Sequence, residues 1–165
     1  MLPGMAKVIQ TPEAVVASQW PTAVLRPQTI YLTEPEADAI GDQAGTPLDS
    51  RVIHVQQVVV DGQEVATLYF DRHKVRTLPE TLVIAVSPEG KVLWVEVLVF
   101  QEPQNYLPRP GWLKLFAGHT DPKELTYRKN IDGITGATLT GRAVTNAVKR
   151  ALAIHQRNQV DTDAP

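Results

Sequence analysis

The sequence predicts an α+β fold, a twisted antiparallel sheet of two or more hairpins with packed helices. Three observations lead there. Four valine- and isoleucine-rich stretches between residues 52 and 100 repeat with the period of two that alternating strand side chains impose. Asp61-Gly62 and Glu89-Gly90 divide them into pairs and offer the positive φ that tight hairpin turns need. A capped helical segment precedes the strands, and an amphipathic one follows them.

Residues 1–29 hold Pro3, Pro12, Pro21 and Pro27 without a sustained period, so they read as an irregular arm whose apolar patch at 14–17 packs as a short helix. The first convincing helix spans about 33–44. Thr33 and Glu36 form a capping box there, Pro35 occupies the first turn, and Gly45 is placed to end it. Strands are expected at 52–60, 64–70, 81–87 and 91–100, the last apolar on much of both faces and therefore central. The proline-rich run 101–111 cannot continue a central strand and should be a surface loop. A short helix at 112–116 ends at Gly118, and a closing helix runs from about Thr140 to His155. Val144, Ala147, Val148, Ala151 and Leu152 line its buried stripe, with Arg142, Asn146, Lys149 and Arg150 facing outward. The organisation expected is an arm at 1–29, one domain at 30–155 and a flexible tail at 156–165.

Composition narrows the function. A length of 165 residues suits one domain, and a net charge of -2 without a clustered basic excess excludes nucleic acid as the partner. With no cysteine there is no disulfide, thiolate metal site or cysteine nucleophile. No stretch has the roughly 18–20 apolar residues of a membrane span, and the first residues lack the apolar centre of a secretion signal. The chain is therefore expected either to be cytoplasmic or to follow a removed leader.

The chemistry concentrates at 130–140, where glycine and hydroxyl residues precede the closing helix. A helix N-terminus offers free N–H groups and about half a positive charge, so an anion is stabilised there without a basic side chain. Gly133, Gly136 and Gly141 let a ligand approach closely, and Thr138 and Thr140 stand at that end. The plainer alternative makes Thr140 the helix N-cap, worth about 1 kcal/mol, in an ordinary loop. The pattern is neither a Walker A loop nor a dinucleotide fingerprint. Spacing alone leaves the phosphate site and the capped helix equally open.

The run Asp132-Gly-Ile-Thr-Gly-Ala-Thr138, with the helix behind it, resembles the flavinylation motif of the FMN-binding domain family, Asp-x-x-Ser/Thr-Gly-Ala-Ser/Thr, at every position. That family includes NqrC of the sodium-pumping quinone reductase, RnfG of the Rnf complex and the N-terminal part of NosR. Weaker likeness over about residues 30–155, in the segments at 31–37, 69–73, 79–82 and 102–112, points to its small stand-alone extracytoplasmic members. The resemblance implies an FMN-binding-domain fold, FMN esterified to Thr138, and an electron carrier in place of a catalyst with its own substrate. It makes Asp132 and Thr135 recognition or positioning groups and sets Gly136, Ala137, Leu139 and Thr140 around the cofactor. Glu102 corresponds to a Glu-Thr-Pro-Gly loop beside the flavin, although here Glu102-Pro103 lacks the intervening threonine.

A threonine hydroxyl is a poor nucleophile without an adjacent base, and no histidine lies in the motif, which argues against self-attachment; the resemblance implies a separate flavin transferase of the ApbE type. Redox partner proteins and a membrane redox complex complete the partners, on the outer side of the cytoplasmic membrane or in the periplasm. Two other readings compete: a noncovalent FMN or phosphate-ligand module with a sensory or regulatory role, and a flavin-free structural domain.

Elsewhere the residues read more plainly. His54, His73, His119 and His155 are scattered without metal spacing. Asp71, His73 and Arg76 sit at a strand exit, as a solvated turn or as charges facing a ligand. Tyr106 and Trp112 either flank a flavin ring or anchor the proline-rich loop. Trp94 is most simply core. No Ser/His/Asp arrangement is credible, and Glu80, Glu96 and Glu102 do not make an acid–base pair, so a hydrolase is discarded.

Overall fold

A computed structural model describes residues 7–163, with side chains through residue 158. Five strands form a single antiparallel sheet in chain order: β1 (Val24–Tyr31), β2 (Val52–Val60), β3 (Gln63–Lys74), β4 (Pro79–Val86) and β5 (Val92–Phe100). Each strand pairs with its neighbour in sequence because short turns return the chain directly. At the β2–β3 turn both Asp61 (φ 51°) and Gly62 (φ 79°) are left-handed, the conformation whose twist suits two paired strands. The expected hairpins therefore lie in one sheet.

Helices bury both faces. On one, α4 (Thr138–Asp163) and α2 (Glu34–Ala44) cover Tyr69, Leu82, Ile84, Val86, Val95 and Val97, with Val144, Ala147, Val148, Ala151 and Leu152 of α4 supplying the apolar stripe. The buried hydroxyl of Tyr69 lies 2.7 Å from Nδ1 of His155 and ties α4 to β3. On the other face, Val15 and Val16 of α1 (Pro12–Gln19) meet Val58, Ala66, Leu68, Val83, Ala85 and Leu98. Burial of each valine, leucine or isoleucine among them contributes roughly 1.5–3 kcal/mol. α2 starts at the expected capping box on Thr33 and Glu36 and ends at left-handed Gly45 (φ 71°). The proline-rich excursion makes one 3₁₀ turn at Gln104–Tyr106 before α3 (Pro110–Leu113) and a further turn at Lys114–Phe116.

Five expectations are corrected. The arm is not irregular through residue 29, since beside the expected short helix, α1, it holds most of β1. Pro27 hides that strand in the sequence, but at a sheet edge its missing N–H leaves no ladder bond unmade. The part of the arm before residue 7 lies outside the described residues. β5 is the opposite edge, not central. Its apolarity on both faces follows from cover by helices on each side, and its outer edge takes N–H from Ile9 to Leu98 O (2.8 Å) and gives N–H from Phe100 to Lys7 O (3.1 Å). α4 begins two residues early, so Thr140 is the third residue of the helix and not its cap. It also continues to Asp163, so the tail expected from Gln156 is helical as far as the backbone is described. Finally, Arg150 turns inward, onto Asp71 of β3.

Candidate functional site

Residues 126–137 enter α4 through a loop held at several points by its own side chains. Ile131 is fully buried, and backbone bonds from its N–H to Thr126 O (3.2 Å) and from Arg128 N–H to Ile131 O (2.7 Å) fold the segment back. Asn130 reinforces the turn by accepting from Thr126 N–H (2.7 Å) and donating to Glu124 O. Tyr127 accepts from the N–H of Ile134 at 2.7 Å while its ring occupies the space beside Gly141. A Cβ at position 141 would come within 2.3 Å of that ring, so only glycine fits. Gly136 (φ 79°) makes the last turn, and Ala137 is buried.

The first helical bond of α4 runs from Gly141 N–H to Ala137 O (3.1 Å). The amides of Thr138, Leu139 and Thr140 are thus the free donors that open every α-helix. A cleft of about 460 Å³ lies at this end, lined by Val75, Arg76, Glu102, Tyr106 and residues 136–140. Thr138 is half-buried in it, Thr140 is buried, and Leu139 stands 50% exposed at the rim. The structure therefore brings together Glu102, Tyr106, Gly136, Ala137, Thr138, Leu139 and Thr140. Asp132 and Thr135 are exposed and outside the lining. Trp112 is outside it too; its indole N–H donates to Asp132 O (2.7 Å) and its ring stands edge-on to Phe116, which makes it an anchor of the loop.

Glu102 acts on the cleft through the backbone. Its Oε1 accepts from the N–H groups of Thr77 (2.9 Å), Leu78 (3.0 Å) and Arg76 (3.3 Å), which holds the β3–β4 turn against the loop. Those amides, that of Thr77 first, keep its carboxyl below the usual range. The residue that sequence reasoning missed is Arg128, whose Nη2 donates to Thr138 Oγ1 at 3.2 Å. No periodicity marks it, because an arginine with φ 69° carries no sequence signature of that turn.

A second polar group lies under α4. Arg150 donates to Asp71 through Nε and Nη2, both at 2.9 Å, and His73 bridges Asp71 (2.9 Å) and Glu80 (2.8 Å). Asp71 and His73 are therefore neither a solvated turn nor part of the cleft lining, whereas Arg76 does line it. Burial opposes the charge on both. The bonds from His73 and Arg150 nevertheless hold Asp71 down to about 2, and those to Asp71 and Glu80 raise His73 to about 9. Burial pushes Glu80 up, and its Oε2 has no hydrogen-bond partner.

Comparison with known proteins decides the family. Residues 78–153, from the end of the β3–β4 turn into α4, match the model of the FMN-binding domain. The chain is 30% identical over 154 residues to the G subunit of the ion-translocating oxidoreductase complex of Stutzerimonas stutzeri, covering 82% of this chain and 64% of that one. Residues 78–153 of the chain belong to the FMN-binding domain family. The corresponding protein of Shewanella baltica is 33% identical over 90 residues, 47% of this chain and 42% of that one. The chain thus spans about two-fifths to under two-thirds of the length of these curated relatives. In three dimensions the crystal structure of Shewanella oneidensis NqrC superposes with a TM-score of 0.60 over 92% of this chain and 88% of that one, at 18% identity, which establishes a shared fold.

FMN is the cofactor of this FMN-binding domain. The cleft suits it on three counts. Its volume is in the range of cofactor sites, Val75, Tyr106 and Leu139 offer apolar surface to a ring, and free amides with Arg128 offer donors to a phosphate. Among the described residues no cluster of His, Asp and Glu could hold a metal, and no helix is long and apolar enough to cross a membrane.

Proposed function

We propose that this FMN-binding domain is an electron carrier whose FMN is joined through its phosphate to Thr138 Oγ1. The observation that carries this reading is the position of that hydroxyl, at the first residue of α4 and in the cleft, with its oxygen engaged by Arg128. The cofactor supplies electron chemistry at its ring. The chain tethers it, shields it and sets its electrostatic surroundings. Residues 136–140 and Arg128 face the phosphate end, and Val75, Tyr106 and Leu139 supply apolar walls. Glu102 keeps the β3–β4 turn in place, Trp112 fixes the loop by its bond to Asp132 O, and Thr135 with the Asp132 carboxylate remains open to a maturation enzyme.

That enzyme is a flavin transferase of the ApbE type, as the family resemblance implies, and the motif holds no histidine to activate its own threonine. The likeness to subunits of ion-translocating complexes supports work beside redox partner proteins in such an assembly, and we place it on the outer face of a membrane. Co-expression with a transferase should raise the intact mass by FMN less one water and leave a fluorescent band in a denaturing gel. Thr138→Ala should abolish both. A variant that stays fluorescent after denaturation would place the linkage elsewhere, and wild-type protein that releases all its flavin on denaturation would make the domain a noncovalent FMN module.

A further inference from the structure

We propose that Arg128 is a positioning residue for the modification of Thr138, directing the acceptor hydroxyl before the phosphoester forms and facing the phosphodiester afterwards. This inference rests on the function proposed above. Its first support is the 3.2 Å contact between Arg128 Nη2 and Thr138 Oγ1. A guanidinium only donates, so the threonine oxygen accepts and its own O–H is directed elsewhere, toward a base brought by another protein.

The second support is the way Arg128 is held. A left-handed backbone is uncommon for a long side chain, and here it persists at φ 69° because the N–H bonds to Ile131 O at 2.7 Å. The guanidinium lies 6.0 Å from the centroid of the Tyr127 ring, and Tyr127 is itself locked against Gly141. Gly133 leaves room for the stem, since a Cβ there would stand 3.1 Å from Arg128 Cγ. The third support is charge. Among the described residues no carboxylate forms an ion pair with Arg128, so a strained loop carries an uncompensated cation to one hydroxyl.

The reaction accounts for that cation. Thr138 Oγ1 bonds to the FMN-side phosphorus of a flavin dinucleotide while the pyrophosphate P–O bond breaks. Adenylate leaves with the bridging oxygen, and the hydroxyl proton passes to a base of the transferase. The diester that remains has one negative charge, one bond from the oxygen that Arg128 already touches. A planar fork of donors matches phosphate oxygens better than a point charge does.

The test follows loading of purified wild type, Arg128→Met, Arg128→Lys and Thr138→Ala by an ApbE-type transferase with FAD and magnesium. Intact mass is read against time at several acceptor concentrations, with melting temperatures of the unloaded proteins. The ³¹P resonance of the attached phosphate is recorded on the loaded ones. Arg128→Met should lower kcat/KM for loading about ten- to a hundredfold, as expected for a lost charged hydrogen bond. It should also shift the ³¹P resonance at an unchanged melting temperature, and Arg128→Lys should recover part of the rate. Wild-type loading and an unmoved resonance in Arg128→Met would overturn the role of Arg128 alone. Wild type that gains no flavin at Thr138 would instead overturn the function on which it rests. Should Arg128→Met not fold, Arg128→Lys decides: loading slowed about threefold or more at an unchanged melting temperature supports the role, and wild-type loading overturns it.

Discussion

At the scale of single residues, the entrance of α4 is a lock between a ring and a missing side chain. Gly141→Ala would drive a methyl to 2.3 Å from the Tyr127 ring, so the ring or the helix must move. The expected loss is about 1–3 kcal/mol in urea unfolding. Pairing it with Tyr127→Leu should restore part of that loss, because the two residues share one space. An additive double variant would show that they do not collide. Thr138, the acceptor proposed above, is named by a motif of seven consecutive residues. Its surroundings were not legible in the sequence. Tyr127 and Arg128 act through a left-handed turn and a packed ring, and neither feature follows from the order of residue types in a loop.

At the scale of elements, the chain of charges from α4 through β3 to β4 gives the protein a definite pH response. His73 is raised from 6.5 to about 9, so its charged form stabilises the fold fully below about pH 6.5, and that contribution is lost as pH rises through 9. Raised Glu80 works in the same sense, losing stability as pH climbs above its ordinary carboxylate value. Asp71, held down to about 2, contributes above roughly pH 4 and is lost only in strong acid. Unfolding free energy should therefore fall between pH 6.5 and 9.5, by up to about 3 kcal/mol. His73→Gln should flatten that limb and lower stability at pH 6. An unchanged slope in this variant would assign the limb to other groups. Pro27 concealed β1, whereas four of the five strands were readable from valine-rich alternation and two turn dipeptides. The charge chain was not, because Asp71, His73, Glu80 and Arg150 converge only when β3 and β4 pair under α4, and the helical period alone points Arg150 outward.

At the scale of the molecule, the sheet needs cover on two sides, and the lesser cover comes from the segment read as an irregular arm. A chain starting at residue 22 would lose Val15 and Val16 from the second core and leave the outer edge of β5 unpaired. At roughly 1.5–3 kcal/mol for each buried valine, it should unfold at about 2 M less urea, with m near 1–3 kcal/mol/M. The bared edge should also promote self-association, visible by light scattering. A monomer of unchanged midpoint would show that α1 merely rests on the surface. The meander also orders events in time. Every strand pairs with the one made just before it, whereas the hydroxyl-bearing end of α4 meets partners from the β3–β4 turn and the loop after β5 only after both exist. On the function proposed above, a nascent chain therefore completes its scaffold before it can display a recognisable substrate to a maturation enzyme, and half-made copies escape premature decoration.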